Sequence, residues 1–289
     1  MSVSLYPTAV VARLYELKQI TENTCIPAKP ARIISMLTQE QITEQNTRLQ
    51  NSEPRQILQE VFNLIPNTVL SFSGAEDVIL IDMATKILPE LPVFTLDTGR
   101  LHRETYRFIE KVRTYYDVNI DMLQPDTEQL RKFVKQKGLY SFYEDGHEEC
   151  CSIRKVEPLR KKLRHYDAWI TGQRRDQSPS RAEVAIIEID RGFSKNGHQV
   201  VKINPLANWS SEQVWSAIQM FNIPYNELHD RGYVSIGCEP CTRAIKPTEH
   251  ERAGRWWWED ATIKECGLHP RNMAGEVKRN NEEHDKESS

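Results

Sequence analysis

The chain has 289 residues, 38 Lys and Arg against 41 Asp and Glu, a net charge of −3 and 39% hydrophobic residues. That charge balance gives no footprint for a nucleic acid, and no apolar run approaches the roughly 18 residues of a membrane span; the N-terminus lacks the pattern of a secretory signal, so the cytoplasm is expected. In a reducing compartment six unevenly spaced cysteines point to chemistry or metal binding rather than to a disulfide framework.

In chain order, residues from about 28 to 66 read as helical, because "ARIISMLTQEQITEQNTRLQ" and "EPRQILQEVFNLI" carry apolar positions at helical spacing. "NTVLSFSGAEDVILIDMATKIL" runs a β-rich segment into a small polar turn and an amphipathic helix, a strand–loop–helix unit. Strand "PVFTLDTG", helix "RETYRFIEKVRTYY", strand "VNIDML", helices "EQLRKFVKQK" and "KVEPLRKKLRHY" and strand "DAWITG" continue the alternation. This pattern predicts an α/β fold with a doubly wound, mainly parallel sheet. "EVAIIEIDRGFSKNGHQVVKINPL" departs from it: two β-rich runs flank "SKNGH" and predict a hairpin. "NWSSEQVWSAIQMF" reads as a helix with a serine cap. Residues from about 275 carry too little apolar content to fold and read as a disordered tail.

Three strand-end loops carry the polar chemistry. "SFSGAED" offers Ser71, Ser73 and Gly74 just ahead of a helix, where exposed backbone N–H groups and the helix dipole favour an anion. A short Ser/Gly turn is also an ordinary connection, and this one lacks the Walker A lysine. "LDTGRLH" ends the second strand, so both loops fall at the carboxyl edge of the sheet, where open α/β folds bind ligands. "TGQRRDQSPSR" adds Arg174, Arg175 and Arg181, guanidinium groups suited to phosphate or sulfate. For any one of these arginines taken alone, a solvated surface loop is the better reading.

The cysteines are more specific. Cys150 and Cys151 are adjacent, with Arg154 and Lys155 one turn on, and Cys238 and Cys241 form a C-x-x-C turn. Four sulfurs suit zinc or an iron–sulfur cluster. Adjacent side chains diverge, which is awkward for one zinc ion and easier for a cluster whose irons take them separately; a vicinal disulfide or unrelated buried thiols stay open as alternatives. Cys25 has no partner pattern and reads as a small buried apolar residue.

Together "SFSGAED", "LDTGRLH", "CCSIRKVEPL", "ITGQRRDQSPSR", "GCEPCTR", "RAGRWWWE" and "KECGLH" resemble the assimilatory adenylyl-sulfate reductases of the sulfonucleotide reductase family, over about residues 55 to 270. The resemblance implies an adenine-nucleotide alpha-hydrolase-like (PP-loop, Rossmann-like) architecture. With the periodicity and composition read above, it divides the chain into an N-terminal helical region (1–54) of open role, a nucleotide-binding and iron–sulfur α/β domain (55–245), a mobile catalytic segment (246–274) and the tail (275–289). It implies a [4Fe–4S] cluster on Cys150, Cys151, Cys238 and Cys241, with Lys155 between cluster and substrate sulfate. Substrate binding falls to Ser71, Ser73, Gly74, Leu96, Thr98, Gly172, Arg181, Arg252 and Arg255.

In the implied mechanism Cys266 attacks the sulfate sulfur, expels AMP and carries a thiosulfonate, from which thioredoxin or glutaredoxin releases sulfite. Lys155, His269, Arg252 and Arg255 supply the positive surroundings that favour a thiolate. The triplet Trp256, Trp257 and Trp258 reads as an anchor by buried area, with no chemical role. The expected partners are adenylyl sulfate and thioredoxin, with no nucleic acid and no membrane, and a homo-oligomer is left open. Three alternatives stand beside this reading: a cluster-bearing reductase of the 3′-phosphorylated nucleotide, an ATP-pyrophosphatase-type tRNA-thiolating enzyme, and a noncatalytic metal-binding regulator. The second usually reads S-G-G-x-D-S where Ala75 and Glu76 stand here.

Overall fold

The computed structural model describes residues 36–195 and 197–259. The first helices among the described residues are α1 (Gln39–Leu49) and α2 (Pro54–Leu64). Of the helical region expected from about residue 28 to 66, residues 28–35 lie outside the described residues and the remainder is broken around residues 50–53, where Pro54 restarts it at a first-turn position at which its missing N–H costs nothing. Next come β1 (Thr68–Ser71), α3 (Ala75–Thr85), β2 (Val93–Leu96), α4 (Arg103–Tyr116), β3 (Ile120–Leu123) and α5 (Thr127–Lys137). The cysteine-bearing α6 (Glu148–Cys151) runs through a π-helical stretch (Ser152–Val156) into α7 (Glu157–Leu163). The chain continues with β4 (Ala168–Ile170), β5 (Ile187–Ile189), β6 (Val201–Ile203) and α8 (Ser211–Met220). Ser210 caps α8 as expected, its hydroxyl accepting from the Gln213 amide.

The six strands lie in the order β3-β2-β1-β4-β6-β5, parallel throughout except for β5. The antiparallel pair β5–β6, with Ile187 opposite Ile203, is the expected hairpin. Side chains alternate across the sheet with a period of two. Leu70, Val93, Ile170 and Ile203 join the larger core with α2, α3 and α4, whereas Val69, Phe94 and Trp169 pack with Val156, Leu159 and Leu163 of α7 and the stretch before it. Helices thus cover both faces, and α3 is buried around most of its circumference. The edge strand β5 is finished by α1: Asn46 Nδ2 donates to the Ile187 carbonyl at 2.7 Å and its Oδ1 accepts from the Ile187 amide at 3.0 Å. Among the described residues no helix is long and apolar enough to cross a membrane.

Strand order reverses between β1 and β4, because β2 and β3 continue on one side and β4 starts the other. A crevice opens at such a switch point, at the carboxyl ends of the strands. The three polar loops singled out in the sequence all emerge there.

Candidate active site

A cavity of about 240 Å³ fills that crevice. The loop after β1 supplies Ser71, Ser73 and Gly74, the end of β2 supplies Leu96 and Thr98, and the end of β4 leads to Gly172 and Arg181. Lys155, Arg252 and Arg255 line it from elsewhere in the chain. The structure therefore brings together all nine residues that the family resemblance implies for substrate binding.

The loop after β1 is built differently from the expectation. The amides of Ser73 and Gly74 are not open to a ligand: both donate to Asp77 Oδ2, at 2.7 and 2.9 Å, and the Ser73 hydroxyl joins them at 2.8 Å. The other oxygen, Oδ1, accepts from the Gly172 amide at 2.8 Å, so one carboxylate ties the β1 loop to the β4 loop across the switch point. Burial pushes the Asp77 carboxyl up to about 6, against the hydrogen bonds that favour its charge. Gly172 has to be glycine, since a Cβ there would stand 2.6 Å from Glu76 Cβ and 2.7 Å from Asp77 Oδ1.

The arginines divide. Arg181 reaches the cavity, but Arg174 is 1% exposed and is held by Glu76 and Glu251, while Arg175 donates to the Val184 carbonyl and to Asn208. Neither Arg174 nor Arg175, both expected as anion-binding groups, lines the cavity: Arg174 is an internal strut, and Arg175 is tied down at the surface.

A second, smaller cavity adjoins the first and is lined by all four expected thiols, Cys150, Cys151, Cys238 and Cys241. They are buried and unbridged by disulfides. Lys155 and Cys238 line both cavities. Adjacent positions on an α-helix diverge by about 100°; here α6 passes directly into the π-helical stretch, and both Cys150 and Cys151 reach the same cavity. The C-x-x-C loop is pinned beside them by the Leu101–Cys238 bridge, by Tyr143 Oη donating to the Pro240 carbonyl at 2.9 Å, and by Thr98 Oγ1 lying 3.2 Å from Cys238 Sγ. The hydrogen bond between Cys241 and Cys238, followed by the charges of Lys155 and Arg255, holds the Cys238 thiol well below its ordinary range. Arg154 donates to the Thr98 carbonyl at 2.6 Å.

Four buried donors around these thiols, Arg100 Nη1, Arg154 Nε, Arg255 Nε and Trp256 Nε1, have no acceptor among the described residues. Buried donors left this way are costly, and three of these residues, Arg100, Arg154 and Trp256, line the cysteine cavity, a setting that suits a compact polyanion. Among the described residues no three His, Cys, Asp or Glu side chains surround a single metal-ion position.

The sequence reading missed His147 and gave Trp256 only area to bury. Trp256 is fully buried, with a left-handed backbone at φ 39°, and the Arg255 guanidinium sits 4.5 Å from its ring centroid. The His147 ring stacks on Trp256 at 4.2 Å, and its Nδ1 is paired with Glu259 at 2.6 Å. The only sequence signal for that pair was the proximity of His147 to the cysteines. Cys25, Cys266, His269 and the tail lie outside the described residues.

Comparison with known proteins gives concordant matches. The family model described as phosphoadenosine phosphosulfate reductase domain matches residues 67–244. The adenosine 5′-phosphosulfate reductase of Pseudomonas aeruginosa (strain LESB58) is 57% identical over 227 residues, covering 78% of this chain and 85% of that protein. The 5′-adenylylsulfate reductase 3, chloroplastic, of Arabidopsis thaliana is 44% identical over 94% of this chain and 60% of its own length. Among solved structures, the phosphoadenylyl-sulfate (PAPS) reductase of Candida auris in a phosphate complex aligns with a TM-score of 0.61 at 28% identity, covering 73% of this chain and 99% of that one.

Proposed function

The chain belongs to the sulfonucleotide reductase family, the phosphoadenosine phosphosulfate reductase domain proteins, and on that premise we propose that it reduces adenylyl sulfate to sulfite and AMP in assimilatory sulfate reduction, toward cysteine. The observation that carries the reading is the shared wall: Lys155 and Cys238 face both the nucleotide-sized cavity and the cysteine cavity. A lysine buried there, with four thiols on one side and Arg252 and Arg255 on the other, suits a sulfate that must be held and polarised.

The nucleotide would lie along the β1 and β4 loops. A helix leaves its first amides without intrahelical partners, so the start of α3 at Ala75 and Glu76 takes over the phosphate-binding part that Ser73 and Gly74 cannot play. Cys150, Cys151, Cys238 and Cys241 would hold a [4Fe–4S] cluster, and the donor set fits it: four buried thiols outside any disulfide, four buried donors without an acceptor among the described residues, and nearby Lys155. Such a group would accept all four thiolates, the adjacent pair included. Bound there, it would supply a compact negative charge on the side of Lys155 away from the nucleotide cavity.

The chemistry falls to Cys266. Its thiolate attacks the sulfate sulfur; the bond from sulfur to the phosphate-bridging oxygen breaks, AMP departs and Cys266 carries a thiosulfonate. A thiolate of thioredoxin or glutaredoxin then attacks the Cys266 sulfur and sulfite leaves. The partner's second thiol resolves the mixed disulfide, so two electrons come from the dithiol and Cys266 is regenerated. Arg252, Arg255, Lys155 and His269 stabilise the charge in transfer. Such a dithiol is kept reduced in the cytoplasm.

The test mixes protein with adenylyl sulfate, without thioredoxin. One sulfonate mass is expected on the peptide containing Cys266, with stoichiometric AMP, discharged as sulfite by reduced thioredoxin; Cys266→Ser should do neither while keeping its iron. A sulfonate mapped elsewhere, or ATP consumption in its place, overturns the reading. The runner-up substrate is the 3′-phosphorylated nucleotide, named in the Candida auris match; equal or reversed kcat/KM values for the two nucleotides would decide in its favour.

A further inference from the structure

Arg174 lies outside the cavity lining, yet it touches three segments that each supply cavity wall. Its Nε and Nη2 donate to Glu76 Oε1 at 3.3 and 3.2 Å, at the start of α3. Nη2 also donates to both oxygens of Glu251 at 3.1 and 3.2 Å, and Nη1 to Asp176 at 3.4 Å. Glu251 immediately precedes Arg252 and stands four positions before Arg255. Gln177 extends the network: it donates to Glu76 Oε1 at 2.9 Å, accepts from the Arg174 amide at 3.2 Å, and accepts from Arg181. A single buried guanidinium thus joins the loop after β1, the loop after β4 and the chain carrying two of the cavity's arginines.

A buried ion pair is weak evidence for stability, because desolvation offsets much of the attraction; its best-attested use is to fix one arrangement among several. Arg174 faces three carboxylates, two of them well covered. The third, Asp176, is occupied in turn by the Ser211 amide at the start of α8. Glu251 is the only one of the three on the chain that leads to Arg252 and Arg255.

We propose that Arg174 is a positioning residue for substrate binding: through Glu251 it holds residues 246–255 against the phosphate-loop side of the cavity, so that Arg252 and Arg255 face the ligand. Nucleotide binding and the Arg174–Glu251 contact then reinforce each other, and by linkage each tightens the other. The second half of this inference rests on the function proposed above; the first half does not.

The experiment compares wild type with Glu251→Ala, Glu251→Gln, Glu251→Asp and Arg174→Lys in two assays. Limited trypsin digestion of ligand-free protein reads the hold itself, at the Arg252–Ala253 bond. Glu251→Ala should be cut there about tenfold faster, and AMP should slow the cutting of wild type more than that of the variant. Titration with AMP and KM for adenylyl sulfate read the consequence: both constants should rise about tenfold in Glu251→Ala and Glu251→Gln, with kcat changed far less, inside the roughly 5- to 150-fold span of ordinary site coupling. Glu251→Asp should restore most of the loss, which a merely space-filling role would not predict. Glu76→Gln combined with Glu251→Gln should cost less than the sum of the single losses, since both act on one guanidinium.

Equal cutting rates in wild type and Glu251→Ala, or AMP affinity within about twofold in all variants, would overturn the positioning role. Digestion needs no turnover, so a failed hold with intact adenylyl-sulfate reduction is distinguishable from a hold that persists in a protein with another activity.

Discussion

Asp77→Asn tests whether a buried carboxylate braces the loop after β1. The side chain accepts four bonds, three on Oδ2 and one on Oδ1 from Gly172. Asparagine keeps one acceptor oxygen. With that oxygen turned to Ser73 and Gly74, its NH₂ meets the Gly172 N–H donor to donor, a penalty of about 1–3 kcal/mol. The variant is also freed of a charge. Asp77 titrates at about 6 in the fold against an ordinary value of 3.8, so its pKa is raised on folding. Its contribution to stability is fully present below the unfolded value and is lost as pH rises through the folded one, by about 3 kcal/mol in all. Between about pH 5 and about pH 7.5 the loss is about 1.4 kcal/mol, and asparagine has no such slope. Urea denaturation at the two pH values should therefore show the variant gaining about 1.4 kcal/mol on wild type at the higher pH. AMP affinity, measured in parallel, should fall at both. A stability difference independent of pH would refute the buried charge, and unchanged AMP binding would refute the brace.

Anaerobically purified wild type should contain about four iron and four sulfide per chain, and Cys150→Ser or Cys238→Ser should lose both; one zinc and no iron would instead favour a zinc site. Lys155→Ala should retain iron while slowing single-turnover sulfonate transfer about 10²-fold, and an unchanged rate would reduce Lys155 to a structural residue. Gly237→Ala places a Cβ against the Arg255 guanidinium, inside van der Waals contact. Because the end of a flexible side chain can move, it should weaken AMP binding in calorimetry while shifting Tm little; a large fall in Tm with intact binding would contradict that placement.

The parts of this molecule legible in sequence are those with local causes. The β-rich run, polar turn and apolar helix of residues 67–85 form the expected unit because each signal acts within a few positions. "SKNGH" marks the hairpin and Ser210 the start of α8 for the same reason. What stayed hidden is pairing at a distance. Arg174 meets partners 98 and 77 positions away, and His147 meets Glu259 across 112. Nothing near "QRRDQ" distinguishes an arginine that will be buried from one that will face a ligand. Asp77 misled for a subtler reason: a carboxylate three positions into a helix can turn toward solvent or fold back under its own loop. Gly172, 95 positions away, completes the second arrangement.

The Asn46 side chain ends the sheet in a way that bears on how copies of this protein coexist at high concentration. An unpaired edge strand is a template on which another chain can build. By giving Ile187 both a donor and an acceptor, the amide of Asn46 imitates the next strand for one residue and stops there. With α1 laid over β5, a foreign strand would have to displace a helix before it could find the first pair of bonds. A helix whose only visible duty is to cover hydrophobic residues thus also acts as a guard against runaway strand addition, and its removal would be felt in solubility before it was felt in catalysis.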